Sequence, residues 1–264
     1  MRHGFSLVEL SIVLVILGLL TGGILAGQSL IRAAELRSVT TEFQRWQTAI
    51  NTFKSKYISL PGDMRNATSF WGSAGGSGTI GDGCESLSGT GTQTCNGDGN
   101  GAIYSNTSGT SYNEYFTAWQ QLANAGLIEG NYTGRNGGGS NPYDANIGIN
   151  VPSSRISNAG WFLGNPMNVS GGSNSNYFDR SYAHRFMIGS DITNNSTDGP
   201  VITPSEAWNI DSKIDDGMPA IGNIVSYKNS SPKTPNCTNS DTSSAQYNLT
   251  FAGKLCSLLF ILSW

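Results

Sequence analysis

Histidine is nearly missing from this chain: His3 and His184 are the only two in 264 residues. Two imidazoles cannot build the ligand clusters of most zinc enzymes, and they leave little room for histidine-based acid–base chemistry. Charge is scarce too, at 12% of residues, and Lys plus Arg (15) fall short of Asp plus Glu (18). No basic field is present to recruit nucleic acid. The GxSxG, HExxH and Walker patterns are absent, and Gly76, Gly78 and Gly81 spell GxGxxG without a leading strand or a following helix. His184, beside Arg185, reads as a surface or packing residue.

What the chain does have is unevenly placed. Residues 1–65 carry seven Lys or Arg against four Asp or Glu, net +3, so the remainder carries −6 of the overall −3. The second part is crowded with Gly, Ser, Asn and Thr, the composition of a turn-rich extracytoplasmic domain. Trp71, Trp119, Trp161, Phe162, Trp208 and Trp264 give it large apolar surfaces to bury.

From Phe5 to Gly27 the run FSLVELSIVLVILGLLTGGILAG holds a single charge, Glu9. As a helix it spans roughly 35 Å, enough for a bilayer core of about 30 Å. A cleaved secretory signal is the competing reading, but the segment before the run is very short and offers one arginine. A carboxylate is also expensive there, at roughly 2.5–3.5 kcal/mol near a membrane helix centre and less near its end. Moreover, the helical pattern continues. Leu36, Val39, Phe43, Trp46, Ile50, Phe53 and Tyr57 recur at alternating spacings of three and four, with Arg37, Glu42, Arg45, Lys54 and Lys56 off the seam. One helix is expected from about Phe5 to Ile58, apolar all round at first and then amphipathic, stopped by Pro61-Gly62. The seam is expected to pack on the chain's own globular part rather than in a free coiled coil. Any bend or local melting is expected at Gly18, Gly22, Gly23 and Gly27.

The string RHGFSLVEL resembles the prepilin cleavage and methylation motif of type IV pilins and type II secretion pseudopilins. In that resemblance Gly4 precedes the cut, Phe5 becomes the methylated N-terminus, and Glu9 is fifth in the mature chain. SLPGDMRNATSFWG and NIDSKIDDGMPAIG are similar to segments of pilin-like proteins associated with type II secretion. The sequence departs from the pattern with His3 before Gly4, where Lys or Arg is usual, and with Ala26-Gly27 where many pilins kink at proline.

The resemblance implies residues 1–4 as a leader, 5–58 as the long helix with 5–27 as its transmembrane and assembly part, and 59–264 as an extracytoplasmic head. It implies prepilin peptidase and other pilin or pseudopilin subunits as partners, in a homo- or hetero-filament. It also places the protein in the inner membrane as a single-pass chain, from which it passes into a pilus or pseudopilus. Charge alone does not set that orientation, because Arg2 lies on one side of the span and Arg32, Arg37 and Arg45 on the other. Cutting after Gly4 frees an amine on Phe5, and an amine and a carboxylate can neutralise each other in an apolar bundle. In the family Glu9 pairs with an adjacent subunit in this way. The competing class is a signal-anchored extracytoplasmic binding or hydrolytic domain that does not polymerise.

All four cysteines, Cys84, Cys95, Cys237 and Cys256, follow the apolar run and allow three pairings. Cys84 with Cys95 and Cys237 with Cys256 is favoured because it closes the short loops; a four-thiolate zinc site is disfavoured by the absence of CxxC spacing. Helices are expected at Tyr112–Leu127, stopped by Gly126, and at Ser205–Ile214 behind a serine N-cap. Strands are expected at Ala183–Ile188, Gly222–Tyr227 and Lys254–Leu262. The fold class is therefore α+β, a long helix on an antiparallel sheet with large loop insertions, and the resemblance implies that it is pilin-like. No cofactor is required, although Asn96, Asp98 and Asn100, followed by Gly101 and Ile103, have the alternation of a calcium loop. Its twelfth position is Thr107, not a bidentate glutamate, and ordinary turn chemistry explains the same residues. Asp211, Asp215 and Asp216 read as helix-stop and turn residues.

Overall fold

The computed structural model describes residues 6–75, 84, 91–104, 113–138, 141–171, 176–227 and 237–262. Helix α1 runs without interruption from Leu7 to Tyr57. The helix is not interrupted at its four glycines. Each glycine sacrifices about 1 kcal/mol of propensity, but no proline removes a rung of the hydrogen-bond ladder. A Cβ at any of the four would meet nothing within 4 Å, so packing inside one chain does not demand glycine either.

The two halves of α1 live in different surroundings. Leu7 to Ile31 is a sleeve of exposed apolar side chains. Beyond it the seam turns inward: Val39, Trp46, Ile50 and Phe53 are buried, and Leu36, Phe43 and Tyr57 pack against the same core. The helix ends on Ile58, whose N–H bonds to the Lys54 carbonyl at 2.9 Å with φ 54° and ψ 34°. This left-handed position suits glycine, and a β-branched residue there is strained by about 1–2 kcal/mol. Because the Ile58 side chain is 93% exposed, it recovers little by packing. Ile58→Gly is expected to raise stability by about 1 kcal/mol, measured as the denaturant midpoint at constant slope; a lower midpoint would refute the strain.

The head is built on a four-stranded antiparallel sheet of order β1-β4-β6-β5: β1 (Gly160–Gly164), β4 (Arg185–Gly189), β5 (Ile224–Tyr227) and β6 (Ser257–Ile261). Strands β2 (Met167–Val169) and β3 (Arg180–Tyr182) form a separate hairpin. The helix seam lies across the sheet: Phe43 meets Phe260 of β6 at 4.9 Å and Phe186 of β4 at 6.2 Å between ring centroids. Strand β6, paired on both sides, is the apolar segment expected in the core. The β1 strand GWFLG was not foreseen; it is short and buried throughout, so it carries no alternation to recognise.

Helix α2 (Thr68–Trp71) is a single turn. Helix α3 (Glu114–Asn124) is capped by Asn113, whose Oδ1 accepts the Tyr115 N–H, while Tyr112 lies outside the described residues. Its Trp119 sits between Trp46 of α1 and Phe186 of β4, at 5.4 and 5.7 Å. Two buried glutamines of α3 tie the loops to it: Gln121 accepts the Gly62 N–H and donates to the Cys95 carbonyl, and Gln120 donates to Gln93 and Thr133. Helix α4 (Pro204–Ile214) begins earlier than expected. Its N-cap is Thr203, with Pro204 in the first turn and Glu206 closing a capping box; Ser205 is inside the helix. Proline's fixed φ and missing N–H suit that first turn.

Disulfides join Cys84 to Cys95 and Cys237 to Cys256. The second links the approach to β6 with the segment after β5, two stretches that secondary structure alone would leave loosely attached.

Candidate functional site

Helix α1 starts on a capping box. The Ser6 hydroxyl accepts the Val8 N–H at 3.3 Å, and the Ser6 N–H donates to Glu9 Oε2 at 2.9 Å. Within one chain, then, the carboxylate of Glu9 closes the helix N-terminus, where the peptide dipoles favour a negative charge. It stays exposed, on the rim of the apolar sleeve. Gly4 and Phe5 lie outside the described residues. The sleeve is long and apolar enough to cross a membrane and is not covered by any of the described residues.

Residues 1–25 match the family model described as the prokaryotic N-terminal methylation motif. The chain carries a type IV prepilin-like signature. No curated protein and no solved structure matches it. The signature and the bare apolar helix together fit a membrane-anchored, pilin-like precursor.

Where the sleeve ends, the head takes hold of the helix. The Arg32 guanidinium donates to both carboxylate oxygens of Glu206 at 2.6 and 2.8 Å, to Glu35 at 2.8 Å and to the Val201 carbonyl at 3.3 Å. Despite partial burial of both groups, the bond to Arg32 and the N–H of Thr203 keep the Glu206 carboxyl below its ordinary value. A fork of this kind holds direction as well as distance. One turn past Ser38, Glu42 reaches from α1 to the head: it accepts the Trp161 indole N–H and the Ser154 hydroxyl, each at 2.7 Å, and the Arg155 N–H at 2.9 Å. Sequence spacing places Glu42 off the seam and gives Arg32 no role beyond its side of the apolar span. Their partners are 112 to 174 residues away, and no local pattern announces such pairs.

The loop with the alternation of a calcium site spends its amides on the backbone. Asn96 Oδ1 accepts the Thr68 N–H, and Asn100 Oδ1 accepts the Ala102 N–H, so both amides serve the loop backbone. Asp98 instead joins Asp63 and Glu114, with one oxygen of each lying within 4.8 Å of the others. Thr107 lies outside the described residues. The oxygens of this cluster are already engaged: Asp63 accepts the Asn100 and Gly101 N–H groups, Glu114 those of Asp98 and Tyr104, and Asp98 the Tyr104 hydroxyl. Burial pushes the Glu114 carboxyl up to about 8, with the charges of Asp63 and Asp98 adding to it and the two N–H bonds opposing. Burial also raises Asp63, which shares a hydrogen bond with Asp98. Raised carboxyls of this kind favour their protonated forms, and the carboxylates by themselves assign no ion. Asp63 and Glu114 escaped the sequence reading because only the tertiary fold brings positions 63, 98 and 114 together.

The second acidic group is turn chemistry, as read. Asp215 accepts the Asn223 and Ile224 N–H groups, and Asp216 the Met218 N–H. Asp211 is buried, accepts the Tyr247 hydroxyl and the Gly217 N–H, and is pushed up to about 7 by burial. His184 is also buried; its Nε2 accepts the Ile103 N–H at 2.9 Å, and burial lowers it to about 4.

These shifts set a pH dependence. Carboxyls raised in the folded state bind more protons there than in the unfolded chain, so stability falls as pH rises through their values. Burial takes Asp198 to about 6, Asp211 to about 7 and Glu114 to about 8. His184 works oppositely, costing stability as pH falls from 6.5 toward 4. Around Glu114 the charges that raise it are Asp63 and Asp98, with the Arg65 guanidinium on the Asp98 carbonyl nearby; around Asp211 they are Asp215 and Asp216. The unfolding free energy is therefore expected to be highest in the mildly acidic range and to decline between pH 6.5 and 8, by about 1.4 kcal/mol per pH unit for each native carboxyl still protonated, with the melting temperature falling in step. Calorimetry across pH 4.5–8.5 tests this, and a profile rising toward pH 8 would contradict it.

Proposed function

We propose that the protein is a prepilin-like structural subunit of a bacterial type IV pilus or type II secretion pseudopilus, cut by prepilin peptidase between Gly4 and Phe5, methylated at Phe5 and assembled through α1. The observation that carries the reading is the methylation motif at residues 1–25 at the head of a helix whose apolar half none of the described residues covers. Such a surface is stable in a bilayer or among other copies of the same helix and is costly in water. Gly18 and Gly22, and Gly23 and Gly27, stand four apart on it, a spacing that lets membrane helices approach closely.

In this reading the function is polymerisation and the role is structural rather than enzymatic. The amine freed on Phe5 meets Glu9 of a neighbouring copy, replacing the bond that Glu9 makes to its own Ser6. The head lies outside the cytoplasm, a placement supported by two disulfides, which persist in oxidising compartments. Mass spectrometry of the membrane-purified protein from a host with an active prepilin peptidase is expected to show the chain starting at N-methylated Phe5. Retention of Met1 to Gly4 under those conditions would overturn the assignment.

A further inference from the structure

The head holds α1 at Arg32, one residue after the apolar sleeve stops at Ile31. Leu7 to Ile31 spans roughly 37 Å as helix, slightly more than a hydrocarbon core of about 30 Å. No length of free helix remains to lift the head away, so whatever part of the head surrounds Arg32 stands at the level of the lipid headgroups.

Two pieces of the head are tied to that level. Helix α4 places Trp208 two positions after Glu206, the carboxylate that grips Arg32. The segment after Tyr247 leaves from and returns to the same place. Asn248 N–H donates to Cys237, which is bridged to Cys256; Cys256 and Leu255 bond to Ile202, next to the Val201 carbonyl that Arg32 also reaches. Tyr247 itself is bonded to Asp211 of α4 at 2.9 Å. Between these anchors the excursion exposes Leu249 (52%), Phe251 (45%) and Lys254, and on α4, which Tyr247 ties to it, Trp208 is 45% exposed.

We infer that Trp208, Leu249 and Phe251 form a membrane-resting face, seated in the headgroup region of the bilayer that α1 crosses. The composition suits it: an indole with an apolar body and a polar N–H, two large apolar side chains, and a lysine whose stem can lie along them while its charge stays in water. The inference rests on the membrane-anchor reading of α1 and adds a second, lateral contact to it. It also separates two aromatic surfaces of the head. Phe70, likewise exposed, packs against Tyr57 and Trp71, 25 residues along α1 from Arg32 and so roughly 38 Å from that level.

The test uses the full chain in phosphatidylcholine vesicles whose acyl chains are brominated close to the headgroup. Flotation with the vesicles first reports anchoring by α1. Bromine is then expected to quench part of the tryptophan emission; Trp208→Phe removes that part, whereas Trp71→Phe leaves it. Leu249→Ser with Phe251→Ser should weaken the quenching without loss of flotation. Since Trp208 is exposed, unchanged near-ultraviolet circular dichroism confirms that Trp208→Phe folds. A chain that floats but whose quenching is indifferent to Trp208→Phe overturns the inference and leaves the anchor standing. Emission of Trp208 that shifts with protein-to-lipid ratio but not with bromine means a second copy covers the face, and also overturns it. A chain that does not float overturns both readings.

Discussion

Glu9→Ala is expected to leave the chain anchored in the membrane and to abolish its entry into filaments. Removing the charge makes insertion of α1 easier, because a carboxylate opposes it by up to about 3 kcal/mol, less at this position near the helix end. Losing the acceptor for the Ser6 N–H frays one helix terminus at a cost of about 1 kcal/mol, far from the head. Neither effect threatens the fold. What disappears is the only charge in the sleeve able to answer the amine that cleavage creates on Phe5. The measurement is the share of protein in a sheared filament fraction against that in membranes. Glu9→Gln separates the two roles, since an amide oxygen can still accept the Ser6 N–H but carries no charge. If Glu9→Gln assembles normally, helix capping is the whole duty of this residue and the pairing account is lost. Normal assembly of Glu9→Ala would remove the polymerisation argument altogether and leave a tethered domain.

The second large effect is expected in the head. Trp119 is fully buried and is the point at which three elements meet, α3 carrying it, Trp46 of α1 on its edge and Phe186 of β4 on its face. Trp119→Ala should cost about 3–5 kcal/mol, the usual toll for emptying an aromatic-sized volume. Against a total stability of about 5–15 kcal/mol this is a large share. At roughly 2–4 °C per kcal/mol for a domain this size, melting should fall by roughly 6 to 20 °C. Trp119→Phe should cost much less. It keeps a ring against Phe186 and removes an indole N–H that finds no acceptor among the described residues. Equal losses for both substitutions would mean that the ring stack is not what joins α3 to the helix and sheet.

The head's pH profile bears on the same assembly. Its buried carboxyls sit where burial and neighbouring negative charge hold protons on them near neutrality.

Much of this protein is legible without coordinates because its strongest signals are local. An unbroken apolar run, a three-four repeat ending before Pro61-Gly62, and a motif of nine residues report on neighbours within a turn or two, and the helical repeat carries that information directly. The seam from Leu36 to Tyr57, the helix around Trp119 and the core strand ending at Ile261 were readable for this reason. Strand β1 was not, since five consecutive buried residues show no period. The grip of Arg32 on Glu206, the reach of Glu42 to Trp161 and the meeting of Asp63, Asp98 and Glu114 belong to the tertiary structure alone. Each joins groups whose separation along the chain is arbitrary, and a charged residue takes its meaning from where the fold delivers its partner.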